Sequence, residues 1–417
     1  MYIKELTNSE FDNFANNFMQ GSIYQTSAYS LIKNKEGYDS VLLGLVNEDK
    51  IIAATSILIK KNLGFKYGYV SRGFLIDYTN YELLKTFTLL IKKYLGKKDI
   101  IAIKISPMII KSIYDKKGIL LGNNQNYEML TKNLKELDYY HFGYNNNFEA
   151  LKPRFEAILD LSKPIYQIYK QFDRSLKNKI NKSLREGITI SKANKESLEY
   201  LFLQNKDSRK LNIKDYDNMY TNFEKNHKVE FYTAKLNTAY YLDSIKKQYD
   251  LQETYSTAIN DIMLDPNLKN RDVYLSKKMR SDKLIENYKN KLVNATAYLR
   301  DDPTGVVIAT VMVVKHRDTV YLYEQSYDKK YSHFSGKQLI IWSLIDKYSK
   351  EGYKYFNLGG VTNLNIENSK YKGLNLFKCE FNPTIYEYTG DYELITNQML
   401  YFMYQKGAPL RNILSKK

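Results

Sequence analysis

The chain has 417 residues and 43% hydrophobic content, enough to bury substantial cores in more than one domain and too much for a disordered chain. Lys and Arg number 63 against 46 Asp and Glu, a formal charge of +17 that favours polyanionic partners such as tRNA, nucleotide diphosphates or an anionic membrane leaflet. The single cysteine, Cys379, excludes an internal disulfide framework and a thiolate cluster around zinc, and no run approaches the ~20 apolar residues of a membrane span.

Residues 1–10 are acidic and polar where a signal peptide needs an apolar core, so a cytoplasmic chain with at most peripheral contact at the membrane is expected. Residues 41–60 read as two β-rich runs joined by a polar turn at 47–50, a hairpin signature. A helix is expected over 82–95, followed by a buried strand at 100–105 that Ser106-Pro107 ends. Another strand is expected at 155–161. After it Ser162 can cap a helix with Pro164 in its first turn, where Ile168, Phe172, Leu176, Ile180 and Leu184 form one apolar stripe up to a stop at Gly187. The other faces of this helix carry Lys170, Arg174, Lys177, Lys179, Lys182 and Arg185, available to phosphate or simply solvated.

Residues 238–298 change to two polar helices separated at 265–267, with Leu242, Ile245, Tyr249, Ile259 and Ile262 on the first and Leu275, Met279, Ile285, Tyr288 and Leu292 on the second. Sparse apolar positions amid abundant charge suit an antiparallel arm that buries one seam and projects from the body, each helix spanning roughly 40 Å. Strands at 306–314 and 319–325, a helix at 338–349 and a strand at 353–358 ending in Gly359-Gly360 repeat the layout of the first half, which suggests a duplicated α/β unit.

His141, His227, His316 and His333 lie far apart with no metal-ligand spacing, and there is no nucleophile elbow, P-loop or dinucleotide fingerprint. No metal and no resident cofactor are expected, so catalysis must rest on positioning and charge. Aminoacyl transfer tolerates this, because an aminoacyl ester is already activated and needs mainly an oriented amine and a stabilised oxyanion. Lys378 after Phe377 offers a point charge beside a ring suited to stacking on a terminal base, although a Lys beside a Phe is more often part of an ordinary strand.

An ordered series of motifs resembles the FemABX family of tRNA-dependent peptidoglycan bridge aminoacyltransferases. It comprises Gln25-Thr26-Ser27-Ala28-Tyr29 with Lys33, then Ile105-Ser106-Pro107, then Pro153-Arg154-Phe155, and Asp207-Ser208-Arg209 with Tyr216. It continues with Tyr321-Leu322-Tyr323-Glu324-Gln325-Ser326, Phe356-Asn357-Leu358-Gly359-Gly360, the segment 373–381 and Glu387-Tyr388-Thr389-Gly390. Three positions depart from the family pattern: Ser106 and Asn357 stand where it has an acid, and Glu324 where it has a glycine. The loss of a carboxylate at Asn357 weakens that position as a general base.

The resemblance implies an α/β (α+β) fold of two acetyltransferase-like (GNAT-like) lobes, with residues 1–155 and 385–417 forming the first, 156–384 the second, and the helical arm 238–298 as a coiled-coil insertion linked to tRNA. It implies transfer of an amino acid from aminoacyl-tRNA, the co-substrate, to the stem-peptide amine of lipid II or of UDP-MurNAc-pentapeptide. The lipid-linked acceptor is favoured, since arm-bearing members tend to use it and a basic protein concentrates at an anionic leaflet. Lys33, Arg209 and Tyr216 would hold the precursor's diphosphate or nearby groups, with Tyr321, Tyr323 and Asn357 also binding substrate. Phe377 and Lys378 would hold the tRNA end, Lys378 being the catalytic candidate. Homo- or hetero-oligomers with related transferases are compatible with this reading. Two other classes fit parts of the sequence: a CoA-dependent N-acyltransferase, with residues 333–339 as a glycine-poor pyrophosphate loop, and a nonenzymatic RNA-binding protein.

Overall fold

The computed structural model of the chain describes residues 1–205, 211–225, 228–367 and 370–414. Its strands in the first part are β1 (Tyr2–Glu5), β2 (Asp39–Asn47), β3 (Lys50–Asn62), β4 (Phe65–Ser71), β5 (Ile100–Ser106), β6 (Ile110–Tyr114), β7 (Leu120–Asn123) and β8 (Tyr139–His141). The remainder supplies β9 (Phe155–Asp160), β10 (Ile188–Ala193), β11 (Val229–Leu236), β12 (Val306–His316), β13 (Thr319–Tyr327), β14 (Tyr355–Val361), β15 (Thr384–Tyr388) and β16 (Tyr392–Ile395). They assemble into a seven-stranded sheet, β1-β2-β3-β4-β5-β16-β8, and a nine-stranded sheet, β10-β11-β12-β13-β14-β9-β15-β6-β7.

The two sheets share one kernel. In the first, β2, β3 and β4 run antiparallel, and the helix Tyr81–Lys97 returns the chain to β5, parallel to β4. In the second, β11, β12 and β13 run antiparallel, and the helix Gly336–Lys350 returns it to β14, parallel to β13. An apolar face on each crossover helix drives the packing. Leu84, Phe87, Ile91 and Leu95 are buried against Ile103 and Ile105, and Leu339, Ile340, Leu344 and Ile345 against Val311 and Phe356. The α/β duplication expected from the sequence is therefore present. The halves also exchange strands, because β16 lies between β5 and β8 while β6, β7 and β15 extend the second sheet.

The basic helix expected after residue 162 is two helices, Ile165–Gln171 and Arg174–Arg185, with Pro164 rather than Ser162 at the N-cap position. Phe172 between them is extended, with a ψ of 151°, and its ring meets Trp342 and Phe381. The Asp173 N–H bonds the Glu380 carbonyl at 3.0 Å instead of continuing the helix. Ile168, Phe172, Leu176 and Ile180 are buried as expected, but Leu184 is exposed.

The arm is an antiparallel pair, Thr238–Met263 and Arg271–Asp301. Its seam is apolar near the body, where Tyr241, Ile245, Ala295 and Tyr298 join the second core. Farther out it becomes polar: Gln252 Nε2 donates to Ser281 Oγ at 2.6 Å, and Lys278 Nζ to Ser256 Oγ at 2.6 Å. Ile262, Leu275 and Met279, expected on the seam, are exposed. Among the described residues no helix is long and apolar enough to cross a membrane.

Candidate active site

β13 and β14 pair as parallel neighbours only over Thr319–Tyr321 and Tyr355–Asn357. Each is bulged just beyond that point. Tyr323 is skipped in the register of β13 with β12, and Leu358 in that of β14 with β9, so the two strands part and aim side chains and backbone into the gap. A cleft of about 310 Å³ lies there, between Tyr323 and Glu324 on one side and Gly359 and Gly360 on the other. Its remaining wall comes mostly from the first half of the chain, including Tyr24, Tyr29, Lys33 and Lys152, with Leu211 and Met219 from the second.

The helix Ser27–Lys35 carries Tyr29 and Lys33 into this wall. Thr26 caps it by accepting from the Tyr29 N–H, and buried Gln25 fixes its entry, accepting from the Ser56 N–H at 2.8 Å and donating to the Ser71 carbonyl at 2.9 Å. One helical turn after Tyr29, Lys33 pairs with Glu36 at 2.6 Å.

A buried polar chain forms the floor. Arg72 pairs with Glu156 at 2.6 Å and stacks over Tyr388 at 4.0 Å, Asn357 Nδ2 donates to Glu156 at 2.9 Å, and the Gly359 N–H donates to Asn357 Oδ1 at 2.7 Å. Gly359 has a φ of +84°, which favours glycine, and a side chain there would begin 3.3 Å from Lys378 Nζ. Lys378 is 6% exposed and donates to the Gly360 carbonyl at 2.6 Å, so it stands directly behind the cleft's glycine wall.

The structure brings together Lys33, Tyr321, Tyr323 and Asn357 as lining residues. Burial raises both tyrosines above the ordinary phenol range, which keeps them neutral donors. Tyr216 is fully buried in the core shared by Ile32, Phe223 and Met312 and does not line the cleft, because its helix, Ile213–Glu224, turns that face toward the core. Arg209 lies outside the described residues. The segment around Phe377 and Lys378 is a helix, Lys372–Cys379, rather than a strand. Neighbours on a helix point about 100° apart. Phe377 accordingly faces a different cavity, of about 410 Å³, where the Lys337 amine lies 4.1 Å from its ring. Burial pushes that amine down to about 8 against the upward pull of Glu380.

Arg72, Glu156, Tyr24 and Lys152 also meet at or beneath the cleft, although no motif in the sequence marks them. Lys152 donates to the Tyr29 hydroxyl at 2.9 Å and lies 3.6 Å over the Tyr24 ring. Burial, followed by the nearby charges of Lys33 and Arg72, pushes its amine down to about 7. Its place directly before the Pro153-Arg154-Phe155 motif was the available hint.

The family model described as the FemAB family matches residues 6–406. Among curated proteins, the chain is 25% identical to "Aminoacyltransferase FemA" of Staphylococcus epidermidis over 422 residues, covering 99% of this chain and 100% of that one. It is 27% identical to "Aminoacyltransferase FemB" of Staphylococcus epidermidis (strain ATCC 12228 / FDA PCI 1200) over 427 residues, covering 100% of both. Among solved structures, that of FemX superimposes with a TM-score of 0.75 at 19% identity, covering 97% of this chain and 99% of that one, a likeness of fold.

Proposed function

The chain belongs to the FemAB family, and from that premise we propose that it moves an amino acid from aminoacyl-tRNA to the stem-peptide amine of a lipid-linked peptidoglycan precursor at the cytoplasmic face of the membrane. In this reaction the amine attacks the ester carbonyl, a C–N bond forms, and the C–O bond to the terminal ribose breaks as the ribose hydroxyl leaves. The observation that carries the reading is the parting of β13 and β14 beside a wall that holds Lys33 and Lys152, with the Phe377–Lys378 helix directly behind the glycines.

Lys33 supplies charge for the precursor's diphosphate, as a flexible ammonium near the rim suits a phosphate. Tyr321, Tyr323 and the floor at Asn357 orient the stem peptide through hydroxyl and amide groups that are already fixed. Lys378 acts from behind Gly359 and Gly360, fixing the glycine wall through the Gly360 carbonyl, while its positive charge favours the developing oxyanion and the tRNA end approaches from the neighbouring cavity that Phe377 lines. Arg209 is proposed to contact the precursor, and Tyr216, fully buried, to pack the core beneath the site.

The acceptor is tested by offering purified protein the lipid-linked and the soluble nucleotide-linked precursor in parallel with charged tRNA. The reading expects faster turnover of the lipid-linked form, and Lys33→Ala to raise its KM with little change in kcat. Equal use of the soluble form would overturn the choice of acceptor.

A further inference from the structure

Aminoacyl transfer needs the acceptor amine without its proton, yet a stem-peptide ammonium reaches the enzyme protonated. Resting on the function proposed above, we propose that Lys152 is the proton acceptor that frees this amine. The Lys152 amine stands in the cleft wall, held by the Tyr29 hydroxyl at 2.9 Å and by the Tyr24 ring face at 3.6 Å. Among the described residues, no carboxylate lies within ion-pair distance of it, whereas neighbouring Lys33 is paired with Glu36 and Arg72 with Glu156.

The charged groups around it act in both directions. Lys33 and Arg72 disfavour a second cation, while Glu36 and Glu156, already engaged, pull weakly the other way. Across the cleft, β13 presents Tyr321, Tyr323 and Glu324. Burial and like charge together push the amine down to about 7, where its neutral form is well populated at neutral pH. Neutral Lys152 takes one proton from the acceptor ammonium. The freed amine attacks the ester carbonyl, the Lys152 ammonium returns its proton to the departing ribose oxygen, and the remaining surplus proton on the new amide nitrogen passes to solvent as the tetrahedral intermediate collapses, so the lysine ends as it began.

The test is the pH dependence of kcat/KM for wild type, Lys152→Arg, Lys152→Met and Tyr29→Phe, with the lipid-linked precursor and charged total tRNA. Melting curves and precursor binding are followed in parallel. Wild type is expected to lose activity as pH falls through about 7, because protonated Lys152 cannot accept a proton. Lys152→Arg keeps the positive charge and precursor binding but cannot deprotonate. It is expected to lose about 10²-fold or more in kcat and to lack that limb, as is Lys152→Met. Tyr29→Phe removes an acceptor from the ammonium and is expected to move the limb to lower pH. Wild-type rates and an unchanged limb in Lys152→Arg would overturn the role of Lys152 alone and reassign it to phosphate binding. A wild type inactive on lipid-linked and soluble precursors at every pH would instead overturn the underlying function and this role with it.

Discussion

At the scale of single residues, the cleft depends on side chains that reach it from distant segments. The sequence motifs singled out Lys378, in a contiguous segment, and Lys33, in the helix that Gln25 leads into; Lys33 lines the cleft and Lys378 stands behind its glycine wall. Arg72, Lys152 and Glu156 come from the end of β4, the loop before β9 and β9 itself, so only the assembled fold shows their proximity. Lys378→Ala is expected to lower kcat by about 10²-fold, the scale of losing one group that stabilises a developing oxyanion, while precursor binding persists. Single-turnover transfer beside a binding titration checks this. Asn357→Asp would set a second carboxylate against Glu156 at the position of a 2.9 Å hydrogen bond. Like charges raise the folded pKa of one carboxyl above its unfolded value. The protonated form is then tolerated in acid, and stability is lost as pH rises through that raised pKa. The melting-temperature deficit relative to wild type is therefore expected to be small at pH 5 and larger at pH 8.

At the scale of elements, periodicity was a sound guide wherever a segment's partners lie close in sequence. The hairpin of β2 and β3, the crossover helix Tyr81–Lys97 and the arm all fall where alternation, apolar spacing and turn residues placed them. It failed at Phe172, because the Glu380 carbonyl that accepts from Asp173 and the Phe381 ring that meets Phe172 are about 200 residues away in the chain. It also overestimated the arm's apolar seam, whose distal half is knitted by Gln252, Ser256, Lys278 and Ser281. Such a seam gains little from burial, which suits an element whose work is contact rather than core formation. Replacing residues 249–287 with a short Gly-Ser turn leaves Ile245 and Ala295 on the second core. The lobes are expected to keep their cooperative melt while the KM for charged tRNA rises about tenfold or more, the scale of one lost charge-assisted contact. An unchanged KM would remove the arm from tRNA binding.

At the scale of the whole molecule, the two sheets are built on one kernel, and of the two parallel pairs among the described residues β4 and β5 stay paired to Ser71 and Ser106 whereas β13 and β14 part after Tyr321 and Asn357. One half therefore presents a closed face and the other an opened one, and their meeting makes the cleft. The net charge of +17 gives the molecule as a whole a field attractive to polyanions. Affinity for tRNA is expected to fall by about tenfold or more between 50 and 200 mM salt, as for a few released counterions, which filter binding or fluorescence anisotropy would read. The central claim is transfer from aminoacyl-tRNA. The measurement that tests it most directly is the mass of a lipid-linked precursor after incubation with purified protein and charged total tRNA, with and without ribonuclease. A gain of one or more amino-acid residues that ribonuclease abolishes is the expected result. No gain on either precursor, or a gain sustained by acyl-CoA in the absence of tRNA, would contradict the account.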